Sequence, residues 1–508
     1  MAIRDFTLNT VIERNARLYA GRTAFVFEDQ TVTHAQYLAR VQRLAAGLRA
    51  AGLAPGERVA VIAQNRPEFL DLYGAAARLG AIVVPVNWRL TADELAHVIT
   101  DTAPALLLAD PAYQAACAAL RARCPSLKTC VGFDSAEPGF MTYDDLLRSG
   151  SDSRAADGPA DGAAVIMHTA AVGGLPRGAL LSHNGLMAAG MQLIAHWRLG
   201  PDDVNLGMLP MFHVSGLGLF MAVLQAGGAT VLSARFDPSA AVEQIQAHRV
   251  TVFAEFAPML GQILEQAASR GADLASLRAV SGLDTPETLG RFHAHCPGAD
   301  FWAGYGQTEV SGMATLAPAR ERPGSAGRPT LLCEVGVVDD ADQPLPAGGT
   351  GEIVVRGPMV FQGYWQLEED SRQAARGGWH HTGDMGRFDA DGYLWYAGRS
   401  PAKELIKPGG ENVYPAEVEK VILEHPAIAE VVVIGVADPQ WGEAIKAVCA
   451  CRPGAAAPSP AELIEFVGAR IARFKKPKHV VFVDQLPRTG AGLPDRPRVR
   501  EQHGDKPA

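Results

Sequence analysis

Five stretches of this 508-residue chain carry residue types suited to work on phosphates and carboxylates. Residues 168–178 read HTAAVGGLPRG, a glycine-rich turn with one hydroxyl, Thr169, and one cation, Arg177. Backbone N–H groups in such a turn can face phosphate oxygens while a cation offsets their charge. YGQTE at 305–309 offers an aromatic face, a flexible glycine, a hydroxyl and a carboxylate, and HHTGDMGRF at 380–388 sets Asp384 between two glycines. MLPMFHVSG at 208–216 places His213 in an apolar run, and YAGRSPAKELIKPGGENVYPAEVE at 396–419 combines basic residues with a Gly-Gly pair. Each stretch alone also has a plain structural reading. Tyr305 and His213 could be core residues, Glu309 a solvated carboxylate and Arg399 half of a surface ion pair.

Taken in order, and with VPVNWRLTADELAHVI at 84–99, these segments resemble the adenylate-forming superfamily of acyl-CoA synthetases, luciferases and peptide-synthetase adenylation domains. The resemblance covers essentially the whole chain and is closer to the acyl-CoA synthetase branch. It implies two half-reactions. A carboxylate attacks the α-phosphate of Mg·ATP, giving acyl-AMP and pyrophosphate; a thiol, usually that of CoA, then attacks the acyl carbonyl and expels AMP. The first concentrates negative charge and calls for metal, cations and oriented donors; the second calls for a positioned thiol.

The same resemblance implies roles. Tyr305 would stack on adenine, with Gly282, Leu283 and Asp284 on its other side and Gly306 and Gln307 adjoining. Thr308 would bond the α-phosphate, and Glu309 would hold Mg²⁺ through a hard oxygen. Asp384 would accept the ribose hydroxyls, and Arg399 would reach ribose and phosphate. His213 would stand near the acyl carbonyl. Glu404 falls, within a residue or two, on the hinge about which the C-terminal domain swings. Gly409 and Gly410 would let the chain pass close to the pantetheine arm of CoA, and Lys475 and Lys476 could meet CoA phosphates or form a solvated basic turn.

Two departures stand out. Against the usual TSGTTGxPKG, residues 169–178 keep Thr169 but lose three other hydroxyls, and Arg177 replaces lysine, which changes reach and geometry. The loop reads as a weakened phosphate loop. Near the C-terminus the lysine expected to bridge acyl and phosphate oxygens is Leu493, in LPRTGAGLPDRPRVR. Another cation could substitute, adenylation could be slow, or the protein could bind acyl-nucleotides without making them.

The elements that would position these residues read as an α/β fold. THAQYLARVQRLAAGLRAAG has apolar residues at helical spacing, with Thr33 as N-cap and Gly52 as stop. ERVAVIAQN, PEFLDLYGAAARLG and AIVVPV follow as strand, helix and strand, a βαβ unit. TVFAEF at 251–256 reads as another strand, and 333–357 as a β-ribbon. Gly and Pro cluster at 397–415, beyond which EVVVIGVAD, SPAELIEFVGARIARF (capped by Ser459) and HVVFVD suggest a strand–helix–strand plan. The expected architecture is α/β: a large N-terminal domain of α/β sheets with a β-ribbon or barrel part over 1–398, and a small mobile α+β domain over 399–508.

Composition agrees with a soluble globular protein: 48% hydrophobic, 20% charged, net charge −9. The acidic balance argues against broad nucleic-acid binding. No apolar run reaches a membrane span, and the N-terminus lacks the apolar core of a secretory signal. Seven scattered cysteines (117, 124, 130, 296, 333, 449 and 451) form no CxxC pair, which favours reduced thiols and a cytoplasmic protein. The expected activity is ATP- and Mg²⁺-dependent acid–CoA ligation of a fatty or aromatic carboxylic acid, with slow adenylation. The alternatives are a degenerate acyl-adenylate or acyl-CoA binder, and an adenylating enzyme with another acceptor.

Overall fold

The computed structural model describes residues 6–151, 158–169, 176–399, 405–488 and 494–504. The expected βαβ unit is present: Arg58–Ile62 and Ile82–Pro85 pair in parallel, joined by the helix Pro67–Leu79. It belongs to a seven-stranded sheet in which Arg58–Ile62 also pairs with Leu106–Ala109. Leu106–Ala109 is buried at all four positions, the mark of a parallel strand covered on both faces. The sheet's other side ends in the antiparallel hairpin Ala163–Thr169 and Arg177–Ser182. That hairpin frames the glycine-rich loop, whose residues 170–175 lie outside the described ones.

A second, nine-stranded sheet runs parallel from Thr23–Phe27 through Ala229–Leu232, Val204–Gly207, Val252–Ala254 and Ala279–Ser281 to Asp300–Gln307. The strand expected at 251–256 spans only Val252–Ala254. Helices fill the space between the two sheets. Tyr37, Val41 and Leu44 of His34–Ala50, Phe69 and Leu72 of Pro67–Leu79, and Leu217 and Phe220 of Val214–Ala226 share one core with Phe25 of one sheet and Val59 and Val61 of the other. Thr33 caps its helix as expected, accepting from the Gln36 N–H.

The β-ribbon is a four-stranded antiparallel sheet of Glu334–Val338, Gly351–Arg356, His380–Phe388 and Leu394–Arg399. Beyond residue 405, Ile428–Asp438, Gly442–Cys451 and His479–Val483 form a three-stranded sheet with Pro415–Leu423 and Pro460–Gly468 packed on it. The strand Gly442–Cys451 was not expected. Its sequence, GEAIKAVCAC, is rich in small residues of weak strand preference, and its ladder to Ile428–Asp438 decides its conformation. Among the described residues no helix is long and apolar enough to cross a membrane.

Candidate active site

The parallel strand Asp300–Gln307 ends in the 3₁₀ turn Thr308–Val310. Gln307, Thr308 and Glu309 therefore sit at the carboxyl edge of a parallel sheet, where ligands of open α/β folds bind. Thr169 and Arg177 face each other across the hairpin and reach the same place. Glu309 Oε1 accepts from the hydroxyls of Tyr364 (3.0 Å) and Thr169 (3.3 Å). The Arg177 guanidinium lies 4.0 Å from the centre of the Tyr364 ring and pairs with Asp370 at 2.8 Å.

Asp384 is buried in the antiparallel sheet, opposite Arg399 in register. Three protein donors and one guanidinium converge on its carboxylate. Tyr305 Oη (2.7 Å) and Gln307 Nε2 (3.1 Å) donate to Oδ2, Tyr396 Oη (3.4 Å) donates to Oδ1, and Arg399 Nε forms an ion pair with Oδ1 at 3.1 Å. The carboxylate is thus held in place by the protein's own groups. Tyr305 is itself buried, its ring 6.2 Å from that of Tyr396.

A cavity of about 280 Å³ joins these groups to an apolar wall. Thr169, Arg177, Gly306, Gln307, Thr308, Glu309, Thr382 and Arg399 supply its polar lining, and Met208, Leu209, Val214, Phe236, Phe256 and Met259 its apolar one. His213, at the start of the helix Val214–Ala226, also lines it. Gly282, Leu283, Asp284, Tyr305 and Asp384 stand outside this lining. Gly282 passes so close to the Glu255 backbone that any side chain there would overlap it. Glu255 is fully buried, and burial together with the charge of Asp284 pushes its carboxyl far above the usual range.

The C-terminal segment closes over the cavity. Gly409 and Gly410 have φ of +57° and +83°, and a Cβ would lie 2.9 Å from the Trp441 indole and 3.1 Å from Phe256 respectively. Glu411 follows directly and accepts from Arg89 (2.7 Å) and Asn87 (3.4 Å), with His213 Nε2 at 3.5 Å. Burial opposes its ionisation, but His213 and Arg89 outweigh it and hold the carboxyl below its ordinary value. Lys407 also lines the cavity, where the protein packed around it and the charge of Arg399 lower its ammonium pKa.

Thr169, Arg177, His213, Gly306, Gln307, Thr308, Glu309, Arg399, Gly409 and Gly410 all line this one cavity. Glu404 and Leu493 lie outside the described residues. The expectation that Lys475 meets CoA phosphates is corrected: its ammonium is 4% exposed and bonded to Glu94 (2.5 Å) and Glu417 (2.7 Å). Lys476 pairs with Glu465. Arg89 and Glu411 were missed as site residues although both lie inside the motifs singled out. Tyr364 was missed for want of any signal: its bond to Glu309 joins positions 55 apart.

The AMP-binding enzyme model matches residues 12–365, and the AMP-binding enzyme C-terminal domain matches 417–493. The chain is 38% identical to the indoleacetate–CoA ligase of Aromatoleum aromaticum over 503 residues, 97% of this chain and 98% of that one. It is 36% identical to a feruloyl-CoA synthase of Amycolatopsis sp over 501 residues, again 97% and 98%. Among solved structures, the amide bond synthetase McbA of Marinactinospora thermotolerans superposes with a TM-score of 0.87 at 30% identity, covering 97% of this chain and 100% of that one. The chain belongs to the AMP-binding enzyme family, in its acid–CoA ligase branch.

Proposed function

We propose that this enzyme activates an aromatic carboxylic acid with Mg·ATP and transfers the acyl group to CoA in the cytoplasm. What supports the reading is the convergence on one cavity of a carboxylate, Glu309, two guanidiniums, Arg177 and Arg399, and an apolar wall. The aryl preference rests on that wall, with Phe236, Phe256 and Met259 in it, and on likeness to ligases named for indoleacetate and ferulate. The cytoplasmic placement rests on seven free cysteines, six of them buried.

In the first half-reaction a carboxylate oxygen of the acid bonds to the α-phosphorus and the bond to pyrophosphate breaks. Arg177 and Thr308 would face the phosphates, and Glu309 with Thr169 would hold Mg²⁺. The fit is good: among the described residues no hydrogen bond reaches Glu309 Oε2, which leaves a hard oxygen for the metal. When bound, the metal neutralises phosphate charge. In the second half-reaction the CoA sulfur bonds to the acyl carbon, and AMP leaves with the electrons of the C–O bond. Glu411, bound to Arg89, would hold the Gly409–Gly410 turn over the cavity for that step. Leu493 in place of a lysine makes adenylation the slower half.

The test is release of AMP from ATP across a panel of aryl and fatty acids, with and without CoA. Aryl acids giving AMP and a CoA thioester support the reading; no acid giving pyrophosphate would overturn it. Likeness to an amide bond synthetase favours one second reading, a non-CoA acceptor, which AMP release independent of CoA would select.

A further inference from the structure

Gln307 lines the cavity, and its amide is held at both ends. At one end Nε2 lies 2.9 Å from Tyr305 Oη, 3.1 Å from Asp384 Oδ2 and 3.4 Å from the Thr382 carbonyl. At the other, Oε1 lies 2.8 Å from His380 Nε2. The polarity of the amide follows from its neighbours. The Asp384 carboxylate and the Thr382 carbonyl can only accept, and the Tyr305 hydroxyl proton is given to Asp384. The NH₂ must therefore face them, so Oε1 must face His380, and His380 must carry a proton on Nε2 to donate. A flipped amide would set an oxygen against a buried carboxylate. His380 is 3% exposed, opens the strand that carries Asp384, and packs edge-on to Phe361 at 5.2 Å.

We propose that His380 is a positioning residue of the nucleoside site: by donating to Gln307 it fixes the amide that in turn holds Asp384 and Tyr305 for the ribose and base. This rests on the reading of the cavity as a nucleotide site. His380 touches no reacting atom; the effect proposed for it passes through Gln307. Without its imidazole, Gln307 Oε1 loses its donor, and the amide is free to rotate away from Asp384. Binding then has to restore an order that the wild-type protein already holds.

The experiment is a double-mutant cycle on the full chain, read by calorimetric titration with AMP and by ATP saturation of pyrophosphate release. His380→Phe is expected to weaken AMP binding about fivefold, the worth of one neutral hydrogen bond. The KM for ATP should rise by a similar factor, with the saturated rate within about twofold of wild type. His380→Gln, which still offers an N–H, should recover most of the affinity. In a Gln307→Leu background His380→Phe should cost nothing further, because the path it acts through is gone. A penalty equally large in that background, or unchanged AMP affinity in His380→Phe, overturns the inference. Should the phenylalanine variant not fold, His380→Leu takes its place in the same cycle. A wild-type protein that binds no AMP overturns the nucleotide reading itself, which is a distinguishable result.

Discussion

At the scale of single residues, two carboxylates stand in different surroundings. Glu309 lines the cavity, whereas Asp384 is buried under three donors and a guanidinium. Asp384→Ala would remove the carboxylate proposed to accept the ribose hydroxyls, where each bond to a charged group is worth about 1.5–3 kcal/mol. Calorimetry should then show AMP affinity falling by roughly 10- to 100-fold. Glu309→Gln keeps the shape and the Tyr364 contact but removes the charge. Nucleotide affinity without metal should change little, while the Mg²⁺ concentration needed for half-maximal pyrophosphate release should rise by about tenfold or more.

At the scale of elements, the start of the helix His183–Trp197 sets a pH limit on the large domain. His183 is 3% exposed, and burial lowers its pKa from 6.5 to about 4. The neutral ring is the form that fits. Above pH 6.5 it is neutral in folded and unfolded chains alike and stability is unaffected. Below that value the unfolded chain takes up a proton that the folded chain refuses, so stability falls down to about pH 4. Between pH 7 and pH 5 the loss from this residue is about 2 kcal/mol. Melting curves of His183→Asn should be flatter over that interval than those of wild type; equal slopes would place the sensitivity elsewhere.

At the scale of the whole molecule, Lys475 joins the two parts of the chain. Its bond to Glu94 links positions 381 apart, and Glu417 beside it belongs to the C-terminal part. Glu94 also caps its own helix by accepting from the Thr91 N–H at 2.8 Å. Glu94→Gln can keep that cap while losing the charge that faces Lys475. With Glu417 still in place the buried ammonium keeps one charged partner, and losing the other costs about 1.5–3 kcal/mol. On the proposed reading, in which the Gly409–Gly410 turn over the cavity serves the second half-reaction, thioester formation from supplied acyl-AMP should slow by roughly tenfold with pyrophosphate exchange unchanged. Leu493→Lys should act in the opposite half. A placed cation contributes on the order of 3 kcal/mol to the phosphoryl step, about two orders of magnitude in rate. Adenylation should rise and thioester formation stay nearly constant. Wild-type adenylation already as fast as thioester formation would show that another cation, with Lys407 the first to test, has the role.

The sequence by itself determined which residue types stand close along the chain and which local turns present them. Thr169 and Arg177 on either side of a glycine-rich loop, YGQTE at a strand end and Asp384 between glycines are local patterns, and local geometry follows from nearest neighbours along the chain. The parallel strands and the Thr33-capped helix were legible for the same reason. Tertiary structure decided what each group faces. Arg89 meets Glu411 across 322 positions, and no spacing rule reaches that far. Lys475 reads as a solvated basic turn until Glu94 and Glu417 enclose it. Gly442–Cys451 becomes a strand only through its neighbours' hydrogen bonds. Burial, and with it the charge state of Glu255 and His183, belongs to this second class, because a pKa depends on what lies within a few ångströms in space, and packing brings there residues from distant parts of the chain.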